Sequence, residues 1–276
     1  MNDLSTLQGA ILGLIQGLTE FLPISSSGHL ALTQHLMDLD ADSPTMLFFD
    51  VVTHIATLVA VGVVFAPTFA SYLNRLIRET SLSFGGRRVA WRMAAYGVLA
   101  SIPTAVIGLC WKDTFESAFG SPKAIAVALA FTGALLWASG RVPRPKRGWR
   151  RFHWWRAVLV GVAQGIAIFP GVSRSGSTIC VALLLGLKRR WAGEFSFFIA
   201  APAILGAGLM KTKDVFELSA SEASGMGGWP LAVGAVTAFV SGVAALKVLL
   251  HTVRAGKLHL FCYYCWLLAL VGLLLG

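Results

Sequence analysis

Two apolar stretches of this chain are interrupted by the same polar cluster, and that repetition limits its possible folds more than any other feature. Gln16, Gly17, Phe21, Ser25, Ser27 and Gly28 recur as Gln164, Gly165, Phe169, Ser173, Ser175 and Gly176, each pair 148 positions apart. Gly13 and Gly161 extend the match upstream, and Phe49 and Phe197 extend it downstream. A polar cluster kept in register over that distance indicates an internal duplication. Each copy carries a proline in its break, Pro23 in the first and Pro170 in the second. Proline removes a backbone donor and disfavours helix at the residue before it. The second copy therefore predicts a helix that stops near Phe169 and another that starts near Ser173 or Ser175, both good N-cap types.

Hydrophobic residues make up 56% of the 276 positions and charged ones 13%, with mean hydropathy +0.71. These values exclude disorder and fit a polytopic membrane protein. The net charge of +10 does not point to nucleic acid, because the basic residues concentrate in short connections between apolar runs. Cys110, Cys180, Cys262 and Cys265 sit in or at the ends of those runs. Although Cys262 and Cys265 have the spacing of a redox or metal pair, no second pair accompanies them, and they read as small membrane-embedded side chains. A cleaved signal peptide is not expected, since a basic leading region is lacking and the first apolar run ends at Pro23.

Residues 46–66, 89–110, 124–140, 191–209, 229–250 and 261–275 are candidate spans. The run 9–22 is short for a span; it breaks over 22–29 and resumes as a second short helix at 30–37. Residues 158–187 repeat that pattern. Positively charged connections (Arg75, Arg78, Arg87, Arg88 and Arg92; Arg141, Arg144, Lys146, Arg147, Arg150, Arg151 and Arg156; residues 188–190; Arg254 and Lys257) belong in the cytoplasm. Connections near Asp38, Asp40 and Asp42, near Lys112, Asp113 and Glu116, and near Asp214, Glu217 and Glu222 belong outside. This alternation closes only if both broken stretches return to the side they entered from. The expected fold is an all-α polytopic membrane protein in one integral domain. It has six transmembrane spans, two re-entrant helix hairpins, and two inverted-topology repeats over residues 1–140 and 149–276.

Each charged residue at the centre of a bilayer costs about 2.5–3.5 kcal/mol on insertion scales. Glu20 and Arg174 both sit in apolar stretches, in corresponding regions of the repeats, and pairing them in a shared polar cavity offsets that cost. Arg174 at a helix N-terminus also adds a planar fork to unpaired N–H groups, which suits a phosphate; a snorkelling arginine is the other reading. The cavity would hold Gln16, Glu20, Ser25, Ser26, Ser27, His29, Ser173, Arg174, Ser175 and Thr178. Gln16 and Glu20, four apart, share one helix face, and Gly9, Gly13 and Gly17 form a stripe that permits close approach of a neighbour. His29 is open to three roles: base, proton relay, or donor to a buried carbonyl. Asp50 and His54, also four apart, are candidates to line the cavity, although Asp50, near a span end, reads as interfacial.

Gln16 followed four residues later by Glu20, the serine stretch from Pro23 to His29, and Pro170-Gly171-Val172-Ser173-Arg174-Ser175 running on to Thr178 resemble the undecaprenyl pyrophosphate phosphatases of the bacitracin-resistance family. Glu194-Phe195-Ser196-Phe197 is similar as well, and the resemblance covers essentially the whole chain. It implies an integral inner-membrane enzyme that hydrolyses undecaprenyl diphosphate to the monophosphate. That reaction recycles the lipid carrier for peptidoglycan synthesis, supports cell shape and gives bacitracin resistance. The resemblance implicates Glu20, Ser26, His29 and Arg174 in catalysis and Gln16, Ser173 and Thr178 beside the substrate, with Ser25, Ser27 and Ser175 of the cavity next to them. It also implies a divalent cation, Mg or Ca, with Glu20 as its ligand. A polyprenyl diphosphate in a bed of membrane lipids is the expected partner, and a homodimer is a candidate assembly. Two departures stand out. Gln16 is the uncharged option at its position, and Cys265, after Tyr263-Tyr264, stands where the resemblance implies an arginine. Two mechanisms are open: Ser26 attacks with His29 as base, or water attacks, activated by Glu20 or the cation. The rival function is a secondary transporter or flippase of a phosphorylated lipid, which the same broken-helix architecture would serve.

Overall fold

The computed structural model describes residues 4–40, 43–81, 88–143, 145, 147–216 and 228–275. Among these the chain is helical, apart from one isolated bridge between Arg147 and Leu187. The first broken pair is α1 (Thr6–Phe21) and α2 (Ser26–Leu36), followed by α3 (Pro44–Ser81), α4 (Val89–Cys110), the short α5 (Lys112–Phe119) and α6 (Pro122–Gly140). The second broken pair is α7 (Trp154–Ile166) and α8 (Arg174–Leu184), followed by α9 (Arg189–Phe216), α10 (Gly228–Ala255) and α11 (Phe261–Leu275).

Polarity runs from the inside out. Gln16, Thr53, Thr57, Thr132 and Thr178 are wholly buried, while Val98, Leu109, Val236 and Leu274 lie more than half exposed on the surface. Water would penalise such a surface, whereas lipid tails accept it. α3, α4, α6 and α10 are each long and apolar enough to cross a membrane. The chain is a multi-pass helical membrane protein.

Local chemistry sets the helix ends. Ser5 and Gln8 form a reciprocal capping box at the start of α1, and Ser121 caps α6 with Pro122 as its first residue. α1 ends before Pro23, and Ser25 takes φ 70°, so the helix is broken over four residues. α2 therefore begins at Ser26, not near residue 30, and His29 lies inside a helix instead of in the break. α7 stops at Ile166, three residues ahead of the expected point, and α8 starts at Arg174 with Ser173 as its N-cap.

Other expected boundaries also move. Pro67 does not end α3, which continues to Ser81, so Arg75 and Arg78 ride on a helix instead of in a loop. Lys112, Asp113 and Glu116 form α5. Asp42, Arg87, Arg144, Lys146, Glu217 and Glu222 lie outside the described residues.

The glycine stripe of α1 faces α10. A Cβ at Gly9, Gly13 or Gly17 would strike the backbone of Pro230, Gly234 or Ala238, so only hydrogen lets these helices approach so closely. Ser241 Oγ completes the contact by donating to Leu14 O at 3.3 Å. In the second half α7 does the same on α4: Gly161 lies against Ala100, and Thr104 Oγ1 donates to Gly161 O at 3.0 Å. Each broken pair thus packs its first helix on the other half of the chain. That exchange carries the end of α1 to the start of α8.

Candidate active site

Glu20 lies at the end of α1, its carboxylate almost sealed from solvent at 3% exposure. Oε2 accepts from Ser26 Oγ at 2.7 Å and from Gln16 Nε2 at 3.2 Å. Oε1 is paired with the guanidinium of Arg174. His54 of α3 brings Nε2 to 3.9 Å from Oε2. The opposite charges of Glu20 and Arg174 thus meet at the crossing of the two breaks, which makes burial of either tolerable.

The breaks are tied to each other by backbone and hydroxyl groups. Gly171 N donates to Ser25 Oγ at 3.2 Å. Gly171 has φ 91° and lies directly on the Ile125 carbonyl, two conditions that glycine alone meets easily. Thr132 of α6 braces the second break: its Oγ1 donates to Gly171 O at 3.1 Å and accepts from Ser173 N at 3.1 Å. The hydroxyls of Ser25 and Ser27 lie 3.3 Å apart, and those of Ser173 and Ser175 repeat the same 3.3 Å spacing in the other copy.

The two short helices start differently. Ser173 Oγ caps α8 by accepting from Gly176 N at 3.1 Å. Ser25 makes no such bond, so the first N–H groups of α2 stay uncapped beside Ser26. An uncapped helix start carries about half a positive charge and binds anions. With Arg174 it forms a positive frame around the Ser26 hydroxyl.

Not every expected residue faces this frame. His29 Nδ1 meets Ser25 O at 2.7 Å and Nε2 meets Tyr264 OH at 2.8 Å. A ring nitrogen facing a carbonyl must carry the proton, so Nε2 accepts from the tyrosine. Both ring nitrogens of His29 are thus engaged, and the group in contact with the Ser26 hydroxyl is Glu20. The wholly buried Thr178 donates to Arg174 O at 2.8 Å and meets Ser196 Oγ at 2.5 Å, so it supports the first turn of α8 from behind. Ser25 and Ser173 likewise spend their hydroxyls on the two breaks.

By themselves these residues are a poor donor set for Mg or Ca. Ca takes six to eight oxygens and Mg takes six, with carboxylates as the anchoring ligands and carbonyls, water or phosphate for the rest. Here one carboxylate is already matched by Arg174, and the spare oxygen beside it is the neutral Gln16 Oε1, buried and without a hydrogen-bond partner. Among the described residues no group of three His, Cys, Asp or Glu could hold a metal ion. The chemistry derived for these residues therefore has no step through a cation.

Residues 9–271 match the family described as Bacitracin resistance protein BacA. This chain belongs to that family. It is 41% identical over 271 residues to an undecaprenyl-diphosphatase of Alkaliphilus metalliredigens, with 95% of this chain and 96% of the relative covered. A protein of the same name from Carboxydothermus hydrogenoformans is 38% identical and covers 99% of this chain and 98% of its own length. Another, from Rubrobacter xylanophilus, is 41% identical with 96% of both covered.

In this BacA-family chain, three residues around the site lie outside the sequence motifs. His54 carried a usable signal, since an ionisable residue in mid-span is a functional flag. Tyr264 and Thr132 gave none, because a tyrosine or threonine in an apolar helix is ordinary. Cys265, the departure from the implied arginine, is buried with its thiol 3.5 Å from Pro23 O in the first break.

Proposed function

We propose that this chain hydrolyses undecaprenyl diphosphate to undecaprenyl monophosphate and phosphate, returning the lipid carrier to peptidoglycan synthesis and conferring bacitracin resistance. The observation that carries the reading is one shared carboxylate: Glu20 holds the Ser26 hydroxyl and the Arg174 guanidinium at once. An arriving diphosphate competes with Glu20 for Arg174, because the planar fork suits phosphate oxygens as well as a carboxylate. Once Arg174 turns to the phosphate, Glu20 is free to act as base on the hydroxyl it already touches.

Ser26 Oγ then attacks the terminal phosphorus and its proton passes to Glu20. The anhydride bond breaks, and the lipid monophosphate leaves with the electron pair and with the proton, which Glu20 passes on to it. Water cleaves the resulting phosphoserine, giving one proton to Glu20, which returns it to Ser26. Arg174 and the uncapped N–H groups of α2 stabilise charge on the transferred phosphoryl group. Direct attack by water on Glu20's side uses the same residues without the phosphoserine. Rapid quench with labelled substrate separates the two, since only the first leaves phosphate on Ser26.

The decisive experiment is phosphate release from a polyprenyl diphosphate by purified protein in detergent. Hydrolysis is expected there, whereas a transporter or flippase has no second compartment to move its cargo into. Intact, folded protein that releases no phosphate would return the reading to a carrier.

The topology that serves this chemistry has α3, α4, α6, α9, α10 and α11 as six spans and the two broken pairs as re-entrant hairpins. The halves 1–140 and 149–276 are inverted repeats. The crosswise packing of α1 on α10 and of α7 on α4 supports this, as does the positive charge gathered at residues 188–190, Arg254 and Lys257. The first pair then enters from the outer face of the inner membrane, and the wet opening faces the periplasm. A cysteine at Ser27, in a chain with its four native cysteines replaced, is expected to react with a membrane-impermeant thiol reagent added outside cells. Excess lipid diphosphate should protect it. Labelling only from the cytoplasmic side reverses the access.

A further inference from the structure

An apolar groove of about 600 Å³ leaves the first break along the outside of α1. One wall is the α1 face of Ile15, Leu18 and Leu22; another is Leu260, in the turn before α11, and Phe261, its first residue. Its inner end is closed by His29 and Tyr264, joined by the 2.8 Å hydrogen bond and with rings stacked 9° from parallel. Lys257 and Thr252 mark its far end. The size falls within the range of ordinary small-molecule sites, about 300–1,000 Å³, and so suits a segment of a long lipid, not the whole of one.

The geometry points to this groove as the seat of the prenyl chain's first few isoprene units, next to the diphosphate. The assignment rests on the hydrolase reading above and adds to it the part of the substrate that the enzyme measures. Continuity with the site is the main argument. His29 follows Ser26 by three residues on α2, so the two lie one turn apart on neighbouring faces of one helix. Its Nδ1 is held by Ser25 O, the residue that closes the break. A diphosphate on Ser26 therefore has its ester oxygen near the His29–Tyr264 pair, and the chain it carries meets an apolar channel there. The walls offer aliphatic and aromatic surface and no carboxylate. At the far end Lys257 lines the channel with its methylene stem while its ammonium reaches the polar surface. The rest of the chain leaves sideways through the open side of the groove into lipid.

Two consequences separate this groove from mere lipid contact. Binding improves with chain length only while new methyl and methylene groups enter the groove, and it levels off when the groove is full. A bulky side chain in either wall removes that dependence.

The test measures kcat/KM of the purified full chain in one detergent for prenyl diphosphates of one, two, three, four and many isoprene units. For wild type, kcat/KM is expected to rise at least about tenfold between one and four units, by burial of apolar surface, and then to level off. Leu18→Trp and Leu260→Trp block the groove from different walls, and each is expected to flatten the rise. Because the readout is a slope across substrates, a change in overall rate does not imitate it. A wild-type rate indifferent to chain length overturns the assignment whatever the variants do. So does a wild-type slope retained in an active Leu18→Trp or Leu260→Trp protein. Wild-type protein that releases phosphate from none of the series overturns the hydrolase reading itself.

Discussion

Arg174→Ala is expected to lower phosphate release by about 10³-fold, the lower end of what an arginine clamp contributes to phosphoryl transfer. Arg174→Lys keeps the charge and loses the bidentate fork, so it should fall at least about tenfold, equivalent to about 1.4 kcal/mol. The structure adds a second consequence. Glu20 has 3% exposure and Arg174 is its cationic partner, so the alanine variant leaves a buried carboxylate uncompensated. Breaking a buried pair on one side typically costs about 3–5 kcal/mol of stability. Combining Arg174→Ala with Glu20→Gln removes the stranded charge, so the double variant should melt above Arg174→Ala alone while remaining inactive. Additive melting shifts would mean that the two side chains do not interact, and full turnover by a folded Arg174→Lys protein would end the clamp assignment.

Glu20→Gln and Ser26→Ala form the second expectation. Glutamine keeps the shape of Glu20 but cannot take a proton, so loss of general base catalysis should lower kcat by about 10²–10⁴-fold. Substrate affinity should not fall in parallel, because Arg174 is then released from its ion pair and reaches phosphate more readily. Ser26→Ala should be at least as inactive and should leave no trapped phosphate after rapid quench. A KM that rises while kcat stays level in Glu20→Gln would make Glu20 a binding group. An active Ser26→Ala protein would move the nucleophile to water, with Glu20 as its activator.

The internal match 148 positions apart is enough to place both breaks, and with them Glu20 and Arg174. This works because lipid tails offer no hydrogen bonds: a polar cluster with a proline inside an apolar run has no stable place except a shared cavity. Helix starts were legible where a side chain makes the cap, as at Ser173. The start of α2 was not, since it depends on the positive φ at Ser25, which a serine seldom adopts and no local pattern announces. The passage of α3 through Pro67 was hidden for a related reason: a proline's effect depends on what surrounds the freed carbonyl, not on the proline alone.

By itself, the sequence determined the class of fold and the charged pair, because those follow from hydrophobic length and the cost of charge in lipid. Only the tertiary structure decided which group stands next to Ser26. His29 is three residues from that serine in the chain, yet it is held by Ser25 O and Tyr264, the latter 235 positions away. Glu20 is the residue in contact with the hydroxyl, and His54 reaches the carboxylate from a different helix. Partner choice of this kind depends on helix rotation and crossing, which are set by close contacts such as those of Gly13 and Gly17 with α10. Those contacts join distant parts of the chain, so no reading of neighbouring residues contains them.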